Sequence, residues 1–94
     1  MIVSVAEVKA HLRIQYDEED AYIQTLIQQA QAAAQDFCRA EFKEEAPQTV
    51  RLAVLLMVSH LYENRDNSDK QVYLAMRMAF ENLLYPHRDF TGMF

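Results

Sequence analysis

Seven apolar residues stand without a break at Leu52-Ala53-Val54-Leu55-Leu56-Met57-Val58. A helix advances about 100° per residue, so seven successive residues cover its whole circumference. A surface helix keeps a polar side. This segment has none, which predicts a helix buried on all sides with the other elements packed round it. A buried strand of this length is the alternative. The flanks favour helix: Pro47 suits a first helical turn, and Ser59-His60-Leu61-Tyr62-Glu63-Asn64-Arg65 continues without a breaker. The run is too short to cross a bilayer, which takes roughly 20 apolar residues.

One Gly and two Pro in 94 residues leave few tight turns. That argues against an all-β sandwich or barrel and points to an all-α chain. A single domain over 1–94 is expected at this length. It would bury about 65% of the unfolded chain's surface, enough for one core that association can supplement. The formal net charge is -5, and the nine Lys and Arg residues are scattered from Lys9 to Arg88. A DNA binder gathers its cations on one face to displace counterions, so direct nucleic-acid binding is not expected. Cys38 is alone, which excludes an intrachain disulfide and a cysteine zinc site. Met1 is not followed by the basic, apolar and small-residue order of a signal peptide, so synthesis in a reducing cytoplasm is expected.

Four helices are predicted. The first runs from about Val5 to Arg13. Ser4 and Glu7 have capping-box spacing, with Val3 and Val8 placed as a hydrophobic staple. The carboxylates Asp17-Glu18-Glu19-Asp20 suit the positive end of the second helix dipole. They lack the alternating ligands and central Gly of an EF-hand, so no metal site is assigned. The second helix spans about Glu18 to Arg39. Tyr22, Ile23, Leu26, Ile27, Ala30, Ala33, Ala34, Phe37 and Cys38 make its broad apolar face, and Cys38 reads as a core residue. Gln24, Gln28, Gln31 and Gln35 form a stripe on the other side. An uncharged stripe of this kind either faces water or meets another subunit without burying charge.

The third helix runs from about Gln48 to Arg65. Asn67-Ser68 breaks it, and Ser68 with Gln71 repeats the capping-box spacing. The fourth extends from about Asp69 to Tyr85. Its main apolar face is Val72, Met76, Ala79, Phe80, Leu83 and Leu84. Leu74, Met78 and Tyr85 form a second strip, and a second strip in a domain with one core suggests a partner. Pro86 ends this helix. Residues 87–94 make a tail with Phe90, Met93 and Phe94, richer in aromatics than disordered segments are. That composition predicts docking on its own domain or on a neighbour. The architecture expected is a compact four-helix bundle with the apolar third helix central.

No catalytic constellation emerges. His60 and Glu63 share a helix face, but the H-E-x-x-H of a zincin is absent. His60 reads as a core histidine with its hydrogen bond met. The sole Gly, Gly92, makes no phosphate loop, and no spacing singles out a Ser-His-Asp triad. Neither a catalytic residue nor a metal or other cofactor is assigned.

From Pro47 through Val50-Arg51-Leu52-Ala53-Val54-Leu55-Leu56-Met57-Val58-Ser59-His60-Leu61-Tyr62-Glu63-Asn64-Arg65, the sequence resembles the signature helix of the phage head–tail connector (adaptor) family. Val8-Lys9-Ala10-His11-Leu12-Arg13-Ile14 resembles the family's "K-x-x-L-R-I" opening. Asp17 to Asp20 with Tyr22-Ile23-Gln24-Thr25-Leu26-Ile27 resembles its acidic entry to the second helix. Leu83-Leu84-Tyr85-Pro86-His87-Arg88 resembles its "L-L-x-P-x-R" ending. The chain departs from many relatives at Asp69 to Asn82, which reads as continuous helix where they have a Gly- or Pro-containing segment.

The resemblance implies a non-catalytic helical bundle that assembles as a ring beneath the portal of a long-tailed phage. Such a ring extends the DNA channel and seats the next connector or the tail. It implies a virion component at the head–tail junction, made in the host cytoplasm, with the portal, the next connector or tail-completion protein and other copies of itself as partners. DNA would pass without sequence-specific binding, and no membrane is involved. The interface candidates are the glutamine stripe, the Leu74, Met78 and Tyr85 strip, and Arg88, Phe90 and Phe94 of the tail. Glu63, Arg65 and Asp66 join them, either pairing across subunits or capping their own helix. The competing reading, a small helix-turn-helix regulator, needs a basic recognition helix. The third helix is apolar, and the fourth carries as cations only Lys70 and Arg77.

Overall fold

Helix formation follows the caps. Ser4 Oγ accepts the Glu7 N–H while the Glu7 carboxylate accepts the Ser4 N–H, closing the expected capping box on α1 (Val5–Leu12). The computed structural model describes residues 1–65 and 69–89. It continues with α2 (Asp20–Cys38), α3 (Gln48–Glu63) and α4 (Lys70–Leu84), then a single 3-10 turn at Tyr85–His87 that holds Pro86. Among the described residues there is no strand. The chain is all-α, as its composition suggested.

Two helix ends differ from expectation. The α4 N-cap is Asp69, whose Oδ1 accepts from the Gln71 and Val72 N–H groups at 2.9 and 3.3 Å. The predicted Ser68–Gln71 box is thereby displaced by one residue, and Ser68 lies outside the described residues. The short Asp69 side chain reaches the second and third N–H groups directly, so no box is needed. At α2 the N-cap Glu19 makes no side-chain cap bond. Asp20 does stand in the first turn of α2, where the helix dipole favours it, and Asp17, Glu19 and Asp20 also tie this end to other elements. Asp17 and Asp20 hold the Lys9 ammonium of α1 at 2.5 and 2.8 Å.

α1 and α2 both end on arginine, Arg13 and Arg39, at φ 60° and 56°. In a chain nearly devoid of Gly, the left-handed position that closes a helix is taken by residues that pay a steric cost there.

α3 is central: it packs on α1, α2 and α4. Its buried side chains are Val50, Ala53, Val54, Met57 and Val58. They meet Ile23, Ile27, Ala30 and Ala34 of α2, Val8 of α1, and Met76, Phe80 and Leu84 of α4 in one core, with Ile2 and Val3 closing one side. The staple residues Val3 and Val8 thus belong to that core.

The seven-residue run is not buried on all sides. Leu52 is 46% exposed, and Leu55 and Leu56 are half-buried. The Cα envelope measures 48 × 31 × 17 Å, a slab. α2 and α4 both pack on α3, and α1, with only eight residues, covers little more of it, so one sector of α3 stays open. The main face of α4 is also narrower than predicted. Met76, Phe80 and Leu84, four apart, are buried, Leu83 is half-buried, and Val72 and Ala79 are exposed.

Candidate assembly surfaces

The most connected cluster ties the start of α2 to the end of α3. Glu19 accepts hydrogen bonds from the Tyr62 and Tyr16 hydroxyls and pairs with the Arg65 guanidinium. Arg65 also lies over the Tyr62 and Tyr22 rings, 4.8 and 5.7 Å from their centroids. Cation and aromatic face attract through the ring quadrupole. Donation from Tyr62 first, then from Arg65, holds the Glu19 carboxyl below its usual range, and the Tyr62 hydroxyl is held well above the usual phenol range. Arg65, a candidate for pairing between subunits, is thus engaged within its own chain.

A second cluster pins the N-terminal segment. Arg51 donates to the Ile2 and Glu44 carbonyls at 2.6 and 3.1 Å and pairs with Glu7. The Ile2 N–H donates to Gln31 Oε1 at 2.7 Å. Gln35 Oε1 likewise accepts the Phe42 N–H at 3.1 Å. The glutamine stripe therefore divides. Gln31 and Gln35 are half-buried and satisfy loop backbone, whereas Gln24 and Gln28 stand exposed.

A third cluster fixes residues 87–89 at the far end. His87 Nε2 lies 2.5 Å from Thr49 Oγ1. The Arg88 guanidinium covers the Phe37 ring at 4.7 Å. The Asp89 N–H donates to the Cys38 carbonyl at 2.7 Å, and Cys38 Sγ lies 3.6 Å from the Leu84 carbonyl oxygen. The beginning of the predicted tail is thus packed on its own α2 and α3. Asp66, Phe90 and Phe94 lie outside the described residues.

Three outward-facing strips, one each on α4, α2 and α3, are poor in charge. Leu74, Met78 and Tyr85 are exposed, Met78 by 67%. Around α4 the charges Lys70, Arg77 and Glu81 fall within about 40° of one another. Roughly half of the circumference, holding Leu74, Met78, Ala75, Ala79 and Val72, carries none. On α2 there is no charged residue between Asp20 and Asp36, and its exposed side shows Gln24, Thr25, Gln28, Gln29 and Ala32. On α3 the open sector is Leu52, Leu55, Leu56 and Ser59, with Glu63 at its end. His60 lies beside it, half-buried, its ring 5.9 Å from that of Tyr73 and its Nδ1 3.4 Å from Asn64 Nδ2. It belongs to the edge of the core and not to its interior.

Sequence reasoning missed Glu19, Tyr16, Tyr62, Lys9 and Arg51 as organising residues. One signal was available: four consecutive carboxylates exceed what one helix terminus can use. The open sector of α3 had none, because an unbroken apolar run carries no phase.

A family model described as phage gp6-like head-tail connector protein matches residues 2–88. No match is found among curated proteins or among solved structures.

Proposed function

The chain belongs to the phage gp6-like head-tail connector family, and from that membership we propose that it forms a homo-oligomeric ring at the portal vertex of a phage head. The ring joins the DNA-filled head to the tail and continues the DNA channel. Its partners are the portal protein on one side and the next connector or tail-completion protein on the other, and it is recruited in the host cytoplasm. The family's role in the virion is structural, not catalytic. The match across nearly the whole chain is the observation that carries this reading.

The physical surface supports it. A ring needs two different patches on each subunit, one for each neighbour. α2 and α4 each pack on α3, and the exposed sides of both are poor in charge. Such faces are brought together without stripping water from ions, which is the main cost of burying charged surface. Gln24 and Gln28 on one side, and Leu74, Met78 and Tyr85 on the other, are the residues assigned to these contacts. The net charge of -5 suits a conduit. A negative lumen repels phosphates and lets DNA slide. Carboxylate-to-lysine substitutions at lumen positions are then expected to slow DNA ejection, and an unchanged ejection rate contradicts the lumen assignment.

The joining role is tested by removing the protein from an assembling phage. The expected result is filled heads and complete tails that stay separate, with purified protein restoring joined particles. Normal joining without the protein contradicts the proposal.

A further inference from the structure

α1 is fastened to the bundle differently from the other helices. Val8 is its one buried residue, where α2 buries six, α3 five and α4 three. Ile2 and Val3, just ahead of it, add two more. An isolated helix of eight residues is not stable in water. α1 therefore persists only while something holds it against α2 and α3.

Much of what holds it is charged. At its start, Arg51 of α3 pairs with Glu7 and donates to the Ile2 carbonyl at 2.6 Å, while Gln31 of α2 accepts the Ile2 N–H. Further along, Lys9 reaches Asp17 of the connector and Asp20 of α2. These carboxylates stand in water: the Asp17, Asp20 and Glu7 side chains are 88%, 44% and 42% exposed. Pairs of this kind are weak singly and are screened by salt. α1 also closes on Arg13 at φ 60°, a left-handed position that costs a residue with a Cβ and is given up when the helix melts. α4 is the contrast. Met76, Phe80 and Leu84 anchor it in the core, and its Arg77–Glu81 pair lies within the helix.

We infer that residues 1–14 form a strap fastened by charge, which detaches from α2 and α3 and melts while the other three helices stay folded, and which salt loosens. Segments with little buried apolar contact are the ones that open without global unfolding. Opening bares the apolar surface that Ile2, Val3 and Val8 cover on α2 and α3. The fold thus holds a second apolar surface in reserve, reached by a local step and governed by ionic strength. The strap is a property of the single chain and does not depend on the ring.

Native-state hydrogen exchange on the full-length chain, resolved by residue, tests it. The comparison is between about 0.05 and about 1 M sodium chloride, across which the screening length falls from more than about 10 Å to about 3 Å. The amides of residues 8–12 are expected to exchange faster than those of residues 53–58 at both. Salt is expected to speed residues 8–12 about tenfold, for the three pairs together, and to leave residues 76–84 unchanged. A Glu7→Gln/Lys9→Gln variant keeps the capping box, since Gln serves at the third position as Glu does. It is expected to exchange at low salt as the native chain does at high salt, with no further response. Exchange of residues 8–12 at the rate of residues 53–58 means that α1 opens only with the whole fold, and overturns the inference. So does rapid exchange indifferent to salt, since the fastening is then not ionic, and so does an equal salt response in α4. All three outcomes are read on the native chain, so a variant that fails to fold leaves the test intact.

Discussion

Glu19 joins Tyr16 of the α1–α2 connector to Tyr62 and Arg65 at the end of α3, so its protonation weakens a tie between distant parts of the chain. Its carboxyl and that of Glu7 both lie below the ordinary value of 4.5, Glu19 through Tyr62 and Arg65, Glu7 chiefly through Arg51. A carboxylate depressed on folding contributes stability above its unfolded pKa, and that contribution is lost as pH falls through the folded value. The urea midpoint is therefore expected to hold steady from about pH 7 to 5 and to fall below about pH 4.5. In a Glu7→Gln/Glu19→Gln variant the midpoint is lower at pH 7 and the acid slope shallower; an unchanged slope contradicts the assignment. Arg39 makes a second test. It is exposed at φ 56°, where a Cβ costs about 1 kcal/mol and glycine none. Arg39→Gly is expected to raise the melting temperature by a few degrees, roughly 4–8 °C per kcal/mol for a domain of this size. The capping box of α1 was legible because both partners lie three residues apart. The Glu19 cluster was not, because Tyr62 and Arg65 join it from more than 40 residues away, and local spacing carries no record of such contacts.

At the scale of elements, all four helices were legible from apolar periodicity and breakers, with ends displaced by one or two residues. What periodicity does not encode is how many neighbours surround a helix. α3 has the composition of a helix enclosed on every side, yet a chain with three other helices, one of them α1 with only eight residues, leaves Leu52 in water. The same limit explains Val72 and Ala79 on α4, apolar by pattern and exposed in fact. Phe80 and Leu52 should therefore respond in opposite ways. Phe80→Ala empties the fully buried contact between α4 and α3 and is expected to cost about 3–5 kcal/mol. That is a large part of the roughly 5–15 kcal/mol available to a domain. Leu52→Ser is expected to change stability by no more than about 0.5 kcal/mol. Urea denaturation of the two variants decides between a slab with an open α3 sector and an α3 enclosed on every side, in which Leu52→Ser would be costly as well.

At the scale of the molecule, the slab has charge-poor outer sides on α2 and α4, an open sector on α3, and an acidic balance. These features were only partly legible. The glutamine stripe and the Leu74, Met78 and Tyr85 strip were visible as patterns. That Gln31 and Gln35 are spent on backbone N–H groups, and that Arg65 is spent on Glu19, depends on loops folding back across α2 and α3. The family was legible from four stretches in order, since their combination is specific where each alone is not. A connector ring of the kind proposed requires that subunits associate with one another at a portal. The measurement that tests it most directly is mass in solution, by light scattering over a concentration series, with portal rings present and absent. The expected result is either a large closed oligomer or a monomer that loads stoichiometrically onto portal rings. A monomer or dimer whose mass is indifferent to portal at every concentration would contradict it.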